Sequence, residues 1–288
     1  PPPPPPFFFQ PHDAIRDAQE SRGLGDVYKR QEHDSSTIAG VIIEPVVGSG
    51  GVIIPPEGYL ERIREICTKH KIILIFDEVI TGFGRVGAAF ASERFNVTPD
   101  IITMAKGLTG AAVPMSAVAF HDDIYTQIIS NSEEVIELFH GYTYSGHPVA
   151  AAAGIASLEV YEKEGLFERA KDLEPYFEEA IHSLQGENSI LDIRNIGLMA
   201  AVQFSSDDKP STEKASKVFL HCYENNVLVR FSVDYLVLSP ALIAEKQHID
   251  KIVSTIRAVS YTHLRAHAPP EHRVWRRSGD KKKAGGGG

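Results

Sequence analysis

The sequence predicts an α/β protein with a mostly parallel sheet, followed by a smaller α+β unit. Three observations lead there. Short apolar runs at 38–43, 72–76 and 101–105 are separated by stretches of helix and turn length, the alternation that builds parallel sheets. Each run stops at an ionisable residue: Glu44, Asp77 and Lys106. From residue 190 onward the pattern changes to short alternating runs interleaved with two helical stretches.

The elements follow in order. Run 38–43 is almost wholly apolar, as in a strand buried on both faces. Pro55 and Pro56 precede a helix over 57–70, where Leu60, Ile63, Ile66 and Cys67 form one apolar stripe. The second strand, 72–76, completes a βαβ unit, and the third, 101–105, follows Pro99-Asp100. Ligands of open parallel sheets bind outside the carboxyl ends of the strands, so Glu44, Asp77 and Lys106 mark a candidate site. Residues 148–162 and 166–184 read as two helices, the first Ala-rich and hence closely packed. Short strands are expected at 190–193, 199–204, 227–230 and 236–238, with helices at 212–225 and 245–256.

Charge divides the chain. Of 288 residues, 29 are Lys or Arg and 38 are Asp or Glu, a net of −9. Residues 1–31 are neutral and 258–288 carry +5, so 32–257 carry −14. An acidic chain argues against non-specific nucleic-acid binding, which relies on cations neutralising phosphates. No run approaches the roughly 20 apolar residues of a membrane span. Two cysteines make no disulfide framework, which points to the cytoplasm. The ends read PPPPPPFFF and KKKAGGGG, and C-then-T-rich codons are the reverse complement of A-then-G-rich ones. The organisation expected is therefore a non-native or disordered segment at 1–31, a partial large domain at 32–184, a small domain at 185–257 and a non-native or disordered basic tail at 258–288. Resequencing the source DNA checks this: one intact reading frame through both ends would sink it.

Gly82-Phe-Gly84-Arg-Val-Gly87 matches the G-x-G-x-x-G pattern of dinucleotide sites, but its context is wrong. Five residues separate it from the strand, and two of them, Asp77 and Glu78, would repel a pyrophosphate. Structural loop glycines are the better reading.

Three longer stretches carry a resemblance: IAGVIIEPVVGSGGVIIPPEGYL, LIFDEVITGFGRVGAAFASERFNVTPDIITMAKGLTGAAVPMSAV and HGYTYSGHPVAAAAG. Together they resemble the class III pyridoxal-phosphate aminotransferases, especially the omega-amino acid–pyruvate and β-alanine–pyruvate group. The resemblance implies fold type I, the cofactor pyridoxal 5'-phosphate and a homodimer whose two chains share each active site. It implies transfer of an amino group from an amine or omega-amino acid to pyruvate. Lys106, in MAKGLTG, matches the Schiff-base lysine; that amine must be partly desolvated to be a neutral nucleophile. Asp77 matches the carboxylate that pairs with the pyridine nitrogen, and Val79 the side chain packed on the ring face. Glu44 matches a cofactor-side glutamate able to pair with an arginine. Tyr142 and Thr143 match the segment that reaches the cofactor phosphate of the neighbouring subunit. A helix N-cap at Thr143 or Ser145 is the competing reading there. Arg230 matches the arginine that grips the substrate carboxylate through its planar fork of donors. His140 and His147 read as structural, and no metal is implied.

The sequence departs from the family at Val233-Asp234, usually Gly-Asp, at Pro240-Ala241, usually Pro-Pro, and at Ser116, often Gly. Nothing in 1–37 resembles the family's early phosphate-binding loop or its ring-stacking aromatic residue. The competing readings are a non-catalytic fragment of such an enzyme, or another class III activity of diamine, 4-aminobutyrate or aminomutase type.

Overall fold

The computed structural model describes residues 35–130, 140–187, 189–205 and 212–262; the expectations for 1–31 and most of 258–288 lie outside them. Eight strands form two four-stranded sheets among the described residues. The first has the order β1 (Gly40–Ile43), β2 (Ile73–Asp77), β3 (Ile101–Met104) and β4 (Ala117–Phe120). Its first three strands are parallel, and β4 joins β3 antiparallel. The crossover between β1 and β2 is helix α1 (Tyr59–His70), which buries Leu60 and Cys67 with Leu74 and Phe76 of β2. The helix stops where Lys71 turns left-handed at φ 56°, its N–H capping the carbonyls of Cys67 and Thr68.

The expectation of a first strand buried on both faces is corrected. Ile42 is 64% exposed, because β1 is an edge strand whose outer face no described element covers. Helix α4 (Pro148–Lys163) likewise buries only Ala150 and Gly154, so its alanines do not mark all-round packing. Strand β4 and helix α3 (Asp122–Ser130), which follows it, were not foreseen.

The second sheet is antiparallel throughout, ordered β5 (Ile190–Ile196), β6 (Met199–Phe204), β8 (Tyr235–Leu238) and β7 (Arg230–Ser232). Strand β6 works on both faces through its period of two. Ala200, Val202 and Phe204 join a core with Phe177 and Ile181 of α5 (Leu166–His182), Val218 of α6 (Thr212–Glu224) and Ile249 of α7 (Lys246–Thr262). Met199 and Ala201 face the other way, onto Val46, Val52, Val86 and Ala91 from the loops of the first sheet. This second cluster fixes one sheet against the other.

The third of the short strands expected here starts later, at Arg230 rather than 227, because Val227 and Val229 are drawn into the helix-backed core. Val233 sits in the two-residue turn between β7 and β8 at φ 49°, the left-handed region that a β-branched residue adopts at a cost. Here the resembled family usually carries glycine. Val233→Gly is therefore expected to raise the unfolding free energy by about 1 kcal/mol. Urea denaturation checks this, and an unchanged or lower midpoint contradicts it.

Cys67 and Cys222 are free and buried, and burial pushes the Cys222 thiol up to about 11. Among the described residues no helix is long and apolar enough to cross a membrane, and no cluster of His, Cys, Asp or Glu could hold a metal ion.

Candidate active site

The parallel register delivers Glu44, Asp77 and Lys106 to one edge of the first sheet. Ile43 pairs with Phe76 and Asp77 with Thr103, so the three strands end side by side. Asp77 closes β2 with a half-buried carboxylate whose Oδ1 accepts from the Val79 N–H at 3.1 Å and the Thr103 hydroxyl at 3.2 Å. Both bonds fall on Oδ1, which leaves Oδ2 for a further donor.

Glu78, next along, is fully buried. Its carboxylate accepts from the Thr81 hydroxyl at 2.8 Å, the Ala91 N–H at 2.7 Å and the Ser92 N–H at 2.8 Å. These bonds cinch the glycine-rich loop 79–90 and satisfy the first amides of the short helix α2 (Ala91–Arg94). Glu78→Gln keeps the shape but loses one accepting oxygen and the charge assistance of all three bonds, and is expected to cost about 1–3 kcal/mol of stability. Thermal or urea unfolding reads this, with an unaltered midpoint as the contrary result.

Lys106 opens a 3-10 turn, Lys106–Thr109, with its backbone at φ 43°. A lysine held left-handed is a strained position, the kind that surrounding structure must enforce. Two contacts enforce it. A Cβ on Gly107 would lie 2.7 Å from Cβ of Phe83, so only glycine allows that approach. The Tyr161 hydroxyl donates to the Gly107 carbonyl at 2.6 Å, and its ring stacks on Phe83 and meets Phe167 at a tilt.

A cavity of about 520 Å3 lies between the two sheets and is lined by Lys106, Val79 and Arg230, with Gly48, Ser49, Arg85 and Tyr161. The structure thus brings together three of the residues singled out from the sequence. Lys106 itself is exposed at this wall, so the desolvation expected for it is not supplied by the described residues. Asp77 and Glu44 are not among the residues that line the cavity. Glu44 accepts from the Gly48 N–H at 3.0 Å and forms no pair with Arg230. Tyr142 and Thr143 are both exposed; Tyr142 lines a separate concavity of about 670 Å3 with Met115, Ser145 and His147, and Thr143 does not. The N-cap reading fails for both hydroxyl residues: His147 holds the cap position of α4 without a side-chain bond, and Ser145 accepts from the Tyr142 N–H instead.

Arg85 and Tyr161 are among the cavity residues that the sequence reading missed. The Arg85 guanidinium donates to the carbonyls of Leu198 and Pro240, each at 2.7 Å. Burial lowers the Arg85 pKa, opposed by Tyr161, and burial raises that of Tyr161, opposed by Arg85. The available signal was a cation inside a glycine motif otherwise apolar; its meaning depends on carbonyls more than 100 residues away. Three cations and no carboxylate line the cavity of an acidic chain, an arrangement suited to an anionic ligand. The glycine motif lies in an irregular loop, not at a strand-to-helix turn.

A family model described as aminotransferase class-III matches residues 2–259. An omega-aminotransferase of Caulobacter vibrioides is 56% identical over 227 residues, which cover 79% of this chain and 52% of that protein. A β-alanine–pyruvate aminotransferase of Pseudomonas aeruginosa is 43% identical over 226 residues, 78% of this chain and 50% of that protein. Among solved structures, an (S)-enantioselective omega-transaminase from Thermomicrobium roseum superposes with a TM-score of 0.76 at 34% identity, over 86% of this chain and 55% of that one. The chain spans about half the length of the curated relatives it matches.

Proposed function

Because this chain belongs to the class III aminotransferases, enzymes of fold type I that depend on pyridoxal 5'-phosphate, we propose that it supplies the lysine side of an active site that moves an amino group from an amine or omega-amino acid to pyruvate. The donor set fits the cofactor's ring. It offers an amine for the aldehyde (Lys106), a carboxylate oxygen free for the ring N–H (Asp77 Oδ2) and an apolar side chain for the ring face (Val79). Bound there, pyridoxal phosphate supplies an electron sink for charge left on the substrate carbon.

The chain's own residues do the rest. Nζ of Lys106 would hold the cofactor and, as a free amine, would carry the proton from the donor's carbon to the cofactor side in the first half-reaction and from there to the acceptor's carbon in the second. Asp77 keeps a negative charge at the ring nitrogen. Arg230, across the cavity on the second sheet, pairs with the substrate carboxylate through two N–H donors. Glu44 braces the loop at Gly48 on the cofactor side. Tyr142 and Thr143, lying outside this chain's own cavity, serve the phosphate of a second copy in a homodimer. The observation that carries this reading is one cavity with a strained lysine on one wall and an arginine on the other.

Alanine formed from pyruvate with a panel of donors, including β-alanine, 4-aminobutyrate, diamines and 1-phenylethylamine, tests the activity. Product from none of them, with cofactor spectroscopically bound, overturns it. Arg230→Ala is expected to raise KM for pyruvate about 10- to 100-fold, the loss of one charged two-pronged contact. KM for 1-phenylethylamine, which has no carboxylate, should stay level; equal loss for both would remove Arg230 from carboxylate binding. A second reading, a non-catalytic piece, is favoured by the uncovered apolar surface at Ile42, Val118 and Ile155. Gel filtration together with the cofactor spectrum separates the two.

A further inference from the structure

Arg85 is the cavity cation to which the reading above gives no task. It lies in the loop after β2, and its bonds reach two separate segments of the second sheet. Nη1 donates at 2.7 Å to the carbonyl of Leu198, in the turn between β5 and β6, and at 2.7 Å to that of Pro240, just after β8. Its own carbonyl accepts from the Leu198 N–H at 2.9 Å, so Arg85 and Leu198 are bonded in both directions. Both of these guanidinium bonds run to carbonyl oxygens, not to carboxylates. An arginine bonded in this way works as a rigid fork holding two pieces of backbone rather than as half of an ion pair.

Each end of this link leads to one wall of the cavity. On the first sheet, Phe83, two residues before Arg85, packs against Gly107, the neighbour of Lys106. On the second, Pro240 lies three residues beyond Val237, which pairs in register with Arg230 and also lines the cavity. The Gly197–Leu198 turn is pinned further by Glu174 of α5, which accepts the Gly197 N–H at 2.7 Å and grips Arg94 with two bonds.

We propose that Arg85 is a positioning residue that sets the separation of Lys106 and Arg230, and with it the length of substrate that can span them. This rests on the roles given to Lys106 and Arg230 above. With the bracket in place one chain length of omega-amino acid fits between amine and guanidinium; without it the two walls move independently and several lengths fit equally poorly.

The test uses the full chain and its Arg85→Met and Arg85→Lys variants. Hydrogen exchange without added cofactor is read over residues 106–111 and 237–241. Arg85→Met should speed exchange about tenfold in both segments and leave α6 unchanged, since opening becomes local to the two walls. Arg85→Lys, which keeps one donor group, should recover part of the protection. With pyridoxal phosphate and pyruvate, kcat/KM is then compared for glycine, β-alanine, 4-aminobutyrate and 5-aminopentanoate. Arg85→Met should flatten the preference among these lengths about tenfold, whereas a merely structural loss would lower all four in the same ratio. Exchange altered only around residues 197–201, or a length preference intact in Arg85→Met, overturns the proposal. No turnover by the parent chain would count against the transaminase reading instead, and the exchange at both walls would then decide the bracket.

Discussion

Lys106→Ala is expected to abolish the yellow absorbance that pyridoxal phosphate develops on condensing with the chain, with an apparent affinity loss of more than about 100-fold. Lys106 is the lysine on the cavity wall, and its position is built rather than incidental. Its backbone sits at φ 43°, the next residue must be glycine to pass Phe83, and Tyr161 holds the Gly107 carbonyl at 2.6 Å. A freely solvated surface lysine needs none of this. Lys106→Arg should fail equally, because a guanidinium retains the charge but offers no neutral primary amine at ordinary pH. Absorption titration reads both variants. Parent-like absorbance in Lys106→Ala would move the condensation to another amine.

The largest stability loss is expected at Gly197. It stands at φ 54° in the turn between β5 and β6, and a Cβ there would lie 2.4 Å from the Val86 carbonyl carbon and 2.5 Å from both the Arg85 oxygen and the Val86 Cα. All three are backbone atoms, so no side-chain rotation relieves the overlap. Gly197→Ala should lower the unfolding free energy by more than about 3 kcal/mol, adding a steric term to the left-handed penalty. Gly165→Ala is the control. Its φ is 59° and its Cβ would meet nothing within 4 Å, so about 1–2 kcal/mol is expected from conformation alone. Urea unfolding of the two variants separates contact from conformation; equal losses would mean that the loop yields to the Gly197 methyl group. Since this turn also receives Arg85, a yielding loop would weaken the coupling between the walls as well.

Much of this architecture was legible because it is local. The expected stripe has helical spacing, and Leu60, Ile63 and Cys67 of it form the face that α1 turns toward β2, whereas Ile66 stays outside that cluster. The runs ending at Glu44, Asp77 and Lys106 read as parallel strands, and the register brings their ends together. What was hidden depends on partners far along the chain. Ile42 carries the same apolar signal as Leu74, yet it is exposed while Leu74 is fully buried, since burial depends on what covers a face and not on the strand itself. Strand β4 is short and half-exposed, so its Ala-Val-Ala-Phe run has no alternation strong enough to announce it. Val233 shows how a single departure from a family pattern becomes physical. The usual glycine supplies a left-handed turn at little cost, and the valine holds the same turn at φ 49° under strain.

The site divides along the same line. Lys106, Val79 and Arg230 were named from motifs and meet in one cavity. Arg85, Glu78 and Tyr161 act through carbonyls and amides, which leave no mark on residue type. Glu44 shows the converse: an ionisable residue at a strand end whose bond is to a nearby amide, Gly48, and not to the distant arginine.

The central claim is that the amine of Lys106 is the point at which this chain holds pyridoxal phosphate. Borohydride reduction of the chain with one equivalent of pyridoxal phosphate, followed by digestion and mass spectrometry of the peptides, tests it most directly. A single reduced adduct, on Lys106, is the expected result. An adduct spread over surface lysines such as Lys69, Lys71 and Lys246, with none on Lys106, would contradict it.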